Sequence, residues 1–251
     1  MKELIAYKNI RLEFDEQKHQ LFVNGERNYF NVTGITGVID KSGPLMYWAV
    51  KLATNYLRDK WLLSKENETQ VITENDFFEA EKQHRLFKEK AGNIGDLVHE
   101  FAEQFSLGLK PEIPEQENAK NGALAFLKWF DQAEMKVKNP EQIVYSKKYG
   151  YWGIADAEAT KGKKLYLLDY KTSKGIYNPM RYQVSAYLKA AEEMYKREYE
   201  GYWILRFDKE TGNFEPLFVD MKEMEKDFSA FLGALEIKKR EKELDANKIP
   251  F

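Results

Sequence analysis

At 251 residues, with 43% hydrophobic and 32% charged side chains, the chain is long enough to build one large domain around a sizeable core. The absence of cysteine excludes disulfides, thiolate zinc sites and cysteine-ligated iron–sulfur clusters. A net charge of −2 excludes a protein that coats nucleic acid through a global basic excess, and leaves that role to local clusters of lysine and arginine.

The first residues, MKELIAYKNI, lack the apolar core of a secretory signal. No run approaches the ~20 apolar residues of a membrane span, so a cytoplasmic protein without membrane partners is expected. Residues 3–30 alternate apolar and polar, and Asn24-Gly25 between Leu21–Val23 and Glu26–Phe30 predicts a hairpin. Asn31–Ile39, rich in threonine and glycine, reads as a connector. Ser42-Gly43-Pro44 opens a helix to about Leu63, with Met46, Trp48, Ala49, Leu52, Tyr56 and Leu57 on its apolar face. Ser64–Gln70 reads as a loop. Asn75 is the expected N-cap of a charged helix over 76–90, broken at Ala91-Gly92. A helix over Asn93–Leu107 follows, with Ile94, Val98, Phe101, Ala102 and Phe105 in one buried stripe. His99 and Glu103 are neighbours at the edge of that stripe. Beyond the Gly108–Glu117 loop, a helix near 118–135 is rich in apolar residues.

Glu141–Tyr149 is the first strand expected in the core, with Glu141, Ile143, Tyr145 and Lys147 on one face. Ile154–Thr160 and Leu165–Thr172 read as an antiparallel hairpin around the Lys161–Lys164 turn. Alternation gives Ile154, Asp156 and Glu158 one face of the first run, and Leu165, Leu167, Asp169 and Lys171 one face of the second. Carboxylates on neighbouring strands beside an ammonium form a small charged pocket, for which a divalent cation with oxygen ligands is the natural occupant. An unpaired carboxylate at Asp156 would be costly to bury, and either a metal or a salt bridge to Lys171 offsets that cost. Asn178-Pro179 opens a helix to about Lys196, on which Gln183 and Tyr187 lie one turn apart. Strands over Gly201–Phe207 and Phe214–Val219 follow, and Asp220 with Glu223 opens a terminal helix. The elements assemble as one α/β domain over residues 1–251. Within it, 1–90 form an N-terminal hairpin and helical additions, 91–219 the core, and 220–251 a C-terminal helix.

Four motifs follow one another along the chain: Gly95 to His99 and Glu103, Gly153 to Asp156, Asp169-Tyr170-Lys171-Thr172, and Gln183-x-x-x-Tyr187. Together they resemble the PD-(D/E)XK nuclease superfamily, in its RecB-like branch of phage exonucleases and the mitochondrial genome maintenance exonuclease. Upstream, His19–Gly25 and Asn31–Ile39 are similar to the front end of phage members, so the resemblance runs roughly from His19 to Arg206. It implies a restriction-endonuclease-like core, a central mixed β-sheet flanked by helices. The implied activity is a metal-dependent DNA exonuclease acting on single-stranded DNA or DNA ends in replication, recombination or repair. In a phage it would act in the bacterial host cytoplasm, alongside recombination or replication proteins.

The resemblance implies Asp156, Asp169 and Lys171 as catalytic residues. His99, Asp156, Asp169 and the Tyr170 backbone carbonyl would ligate Mg²⁺ or Mn²⁺, and an imidazole favours Mn²⁺. Glu103, Glu141, Lys174, Arg181, Gln183 and Tyr187 are candidates to support the site or touch DNA. Lys147-Lys148 and the lysines of the 161–164 turn are further phosphate contacts to consider. His99-Glu100-x-x-Glu103 lacks the second histidine of a zinc protease helix, and no phosphate-binding loop for ATP occurs. An endonuclease on the same fold, and a non-catalytic nucleic-acid-binding or assembly protein, stay open as alternatives.

Overall fold

Four short strands open the chain as an antiparallel meander: β1 (Lys2–Tyr7), β2 (Ile10–Asp15), β3 (Gln20–Val23) and β4 (Glu26–Asn28). Asn24 and Gly25 take positive φ angles of 52° and 84°, the backbone a two-residue hairpin turn demands and these residues tolerate. The computed structural model describes residues 2–7, 9–66 and 72–246. It divides into two compact units, Met1–Ile39 with Val98–Phe251, and Asp40–Leu97. Among the described residues it is an α/β protein with mixed sheets and six helices, none long and apolar enough to cross a membrane.

The expected connector after Asn31 contains a short helix, α1 (Val32–Thr36). The Asn31 side chain caps it, accepting a hydrogen bond from the Gly34 N–H at 2.6 Å. Threonine and glycine lower intrinsic helicity, and a cap with burial of Val32 and Ile35 overrides them.

The unit Asp40–Leu97 consists of α2 (Ser42–Glu66) and most of α3 (Glu74–Ser106). Trp48 meets Phe87 edge to face at 5.8 Å, and Lys60 pairs with Asp76 at 3.6 Å. Met46, assigned to the apolar face, is exposed. Of the expected loop at Ser64–Gln70, residues 64–66 belong to α2, and residues 67–70 lie outside those described. The expected break at Ala91-Gly92 does not occur, because one interior glycine, at about 1 kcal/mol against alanine, is too weak to end a long amphipathic helix. Its start also lies earlier than Asn75. Thr73 donates its backbone N–H and hydroxyl to the Asp76 carboxylate at 2.9 and 2.7 Å, closing the first turn.

In the larger unit, α4 (Glu117–Ala133) precedes β5 (Lys136–Lys138), a strand the sequence did not signal. Then come β6 (Gln142–Ser146), β7 (Tyr151–Ala155), β8 (Ala157–Lys161), β9 (Lys164–Lys171), α5 (Asn178–Tyr195), β10 (Gly201–Phe207), β11 (Phe214–Asp220) and α6 (Met221–Ala246). The main sheet has the order β11-β10-β9-β8-β5, parallel only between β9 and β10, while β6 and β7 form a separate pair. Helices α5 and α6 bury Val184, Leu188, Met224, Phe231 and Leu235 in a common core with Leu167, Tyr202 and Ile204. A second cluster joins Leu12, Phe14 and Leu21 to Tyr145 and Trp152.

Candidate metal centre

Asp156 stands where a strand changes partners. The expected continuous run Ile154–Thr160 divides there: β7 pairs with β6, and β8 pairs with β9. The ladder sets Ala157 opposite Leu168, so one further step places Asp156 opposite Asp169, with both side chains on one side of the sheet. The Tyr170 N–H donates to Asp156 Oδ2 at 2.5 Å, which fixes the carboxylate at the break.

The neighbouring segment is irregular in a matching way. Lys138 pairs with Glu158 and Gln142 with Ala155, so Asn139, Pro140 and Glu141 oppose only Asp156 and Ala157. The extra residue makes a bulge, a device that re-aims a side chain. Asn139 and Glu141 take φ of 48° and 49°, a left-handed backbone that few non-glycine residues adopt. The Glu141 N–H donates to the Asp156 carbonyl at 2.9 Å. Glu141 therefore precedes β6 rather than alternating within it, which corrects the expected strand Glu141–Tyr149.

His99, Glu141 and Asp156 each bring one donor atom to within 4.8 Å of the others. Nδ1 of His99 lies 3.8 Å from Asp156 Oδ2, and its ring stands edge-on to Tyr170. Glu141 is an exposed residue with other carboxylates close to its own. Desolvation first, then the charges of Asp156 and Glu103, push its pKa up to about 7. A divalent cation would relieve this repulsion, and one imidazole with two carboxylates suits a hard or borderline ion.

Asp169 and Lys171 form the adjoining pair. The Lys171 Nζ lies 2.5 Å from Asp169 Oδ2, with the carboxylate almost fully buried. Oδ2 of Asp169 is held by the Lys171 ammonium alone, and Oδ1 has no hydrogen-bond donor among the described residues. Burial pushes the Asp169 pKa up to about 6, against Lys171, which lowers it, while Asp156 raises it further. Burial alone would lower the Lys171 pKa, but Asp169 and Asp156 more than reverse this. A buried carboxylate oxygen left without a donor, beside a cluster of metal-capable donors, fits a divalent cation.

The remaining candidates separate. Gln183 donates to Tyr187 Oη at 2.6 Å and to Thr33 Oγ1 at 3.3 Å, and Tyr187 is close enough to Lys171 to interact with its charge. Thr33 was not signalled as a site residue; its link to Gln183 spans 150 positions, beyond any local pattern. The Tyr187 ring lies over Gly153, where a Cβ would fall 2.3 Å from Cε1. Arg181 is instead committed to Asp227 at 3.0 Å, and Lys174 is an exposed residue 3.9 Å from Glu210. Neither joins the cluster. Glu158, two residues after Asp156, is fully buried and bonded to Asn139, Arg197 and Tyr199. A cleft of about 650 Å³ bounded by Lys148, Lys189, Glu193 and Phe228 shares no residue with the centre. No protein-family model matches the chain, and no curated protein matches it.

Proposed function

We propose that the chain is a divalent-metal-dependent deoxyribonuclease of the PD-(D/E)XK superfamily, with a restriction-endonuclease-like core and a RecB-like exonuclease character. The observation that carries this reading is the cluster of His99, Glu141 and Asp156 donors beside the buried Asp169–Lys171 pair. The order of the sequence motifs supports it as well. His99, Glu141 and Asp156 would hold Mg²⁺ or Mn²⁺ next to Asp169, and the ion would supply charge screening and acidification of a water.

The protein's own groups have separable tasks. Lys171 stays an ammonium at neutral pH because two carboxylates face it. It therefore donates charge and hydrogen bonds to phosphoryl oxygens as negative charge develops there. Asp169 anchors that ammonium, and Tyr187, packed over Gly153, is near enough to interact with its charge. The Tyr170 N–H holds Asp156 in one orientation, so no reorganisation is needed when a phosphate arrives.

Action on single strands or ends follows from the resemblance to RecB-like exonucleases. The test is digestion of end-labelled linear and closed circular DNA, single- and double-stranded, with Mg²⁺, Mn²⁺ or EDTA. Loss of linear strands only with metal, while circles persist, is the expected result. Equal rates on circles move the assignment to an endonuclease, and inertness on every form leaves a nucleic-acid-binding protein.

A further inference from the structure

The bulge that brings Glu141 to Asp156 is tied down from below by a buried network that the proposed chemistry does not use. Glu158 has no exposed surface. Its Oε2 accepts from Asn139 Nδ2 at 2.7 Å. Its Oε1 accepts from Arg197 Nη1 at 2.7 Å and from the Tyr199 hydroxyl. Arg197 also reaches Gln142 Oε1 at 3.3 Å, on the far side of the bulge. Both ends of the Asn139–Glu141 segment are thus bound to one buried carboxylate, directly at Asn139 and through Arg197 at Gln142.

Two non-glycine residues flanking Pro140 hold left-handed backbone, which asparagine adopts readily and glutamate seldom does. The same conformation turns the Glu141 N–H to the Asp156 carbonyl and its carboxylate to the metal-capable cluster. Released from Glu158, the segment can relax toward an ordinary bulge, and the third donor moves away from the other two.

We propose that Asn139, anchored on Glu158, is a positioning residue that holds Glu141 in reach of His99 and Asp156 and so sets the affinity of this centre for a divalent cation. The inference rests on the reading of His99, Glu141 and Asp156 as metal ligands. Groups that orient a ligand without touching the ion commonly contribute about 10–100-fold to metal affinity.

Two substitutions isolate the tie. Asn139→Gly keeps the left-handed backbone accessible and removes the amide. Asn139→Asp is nearly isosteric, also tolerates that backbone, and replaces the donor with a carboxylate facing Glu158. Each is compared with wild type and with Asp156→Ala by calorimetric Mn²⁺ titration, with folding followed by circular dichroism and thermal unfolding. Both Asn139 variants are expected to fold and to bind Mn²⁺ about tenfold or more weakly, while Asp156→Ala loses binding. Wild-type affinity in either Asn139 variant, with Asp156→Ala defective, overturns the positioning role and leaves the metal reading intact. Wild-type affinity in Asp156→Ala, or no binding by wild type, overturns the metal reading and this inference with it.

Discussion

The Lys171 ammonium sits 2.5 Å from the Asp169 carboxylate, and only 1% of the Asp169 side chain is exposed. Such a pair contributes little net stability while intact, but breaking it strands a buried charge at about 3–5 kcal/mol. Lys171→Met should therefore lower the melting temperature at neutral pH, and Asp169→Asn/Lys171→Met should recover most of the loss. Neither variant should cleave DNA, since the ammonium that stabilises developing charge is gone, a deficit on the order of 10²-fold or more. Thermal unfolding and single-turnover cleavage of the two variants separate these roles. A double variant that regains cleavage would show that the pair is only structural.

A second prediction concerns close approach. At Gly153 a Cβ would fall 2.3 Å from Tyr187 Cε1 and 3.2 Å from Val32 Cγ2. Gly153→Ala must displace the Tyr187 ring, at about 1–3 kcal/mol for overpacking. It should also disturb the Gln183–Tyr187 hydrogen bond beside Lys171. Chemical unfolding measures the first effect. An alanine variant as stable as wild type would contradict this close approach of ring and strand.

These two sites also show what the sequence conveys. Alternation alone puts Asp169 and Lys171 on one strand face, and a helical turn relates Gln183 to Tyr187. The Asn24-Gly25 hairpin and the Asp220 cap, whose carboxylate accepts from the Glu223 N–H at 2.9 Å, are local and were legible. Glu141 was named as a candidate, but its left-handed place outside β6 was not legible, because that depends on one extra residue between two ladders that pair with different partners. Nor was the unbroken α3, where tertiary burial of Val98, Phe101 and Ala102 outweighs a glycine. Non-local strand pairing decides the first, and residue spacing carries no record of it; in the second the buried stripe was legible, but not that it outweighs the glycine.

A third prediction is a pH dependence. The Glu141 pKa is pushed up to about 7 by desolvation and by Asp156 and Glu103, and burial pushes the Asp169 pKa up to about 6. Both acids hold protons more tightly folded than unfolded. Their contribution to stability is complete below the ordinary values of 4.5 and 3.8, and is lost as pH rises through the raised ones. In EDTA, Glu141→Gln should therefore gain stability relative to wild type as pH rises from roughly 5 to 8. Mn²⁺ affinity of the wild type should rise over the same interval, because metal and protons compete for the same oxygens. Melting curves across that range check the sign; a Gln variant that loses ground with rising pH would contradict it.

The most direct measurement is cleavage of end-labelled linear single-stranded DNA by wild type and by Asp156→Ala, each in Mn²⁺ and in EDTA. Asp156 is the shared member of the arrangement, since it accepts from Tyr170, faces His99 and meets Glu141. The wild type should degrade the strand in Mn²⁺ and leave it whole in EDTA, and Asp156→Ala should leave it whole in both. Degradation in EDTA, undiminished cleavage by Asp156→Ala, or an intact strand with wild type in Mn²⁺ would contradict a metal-dependent nuclease.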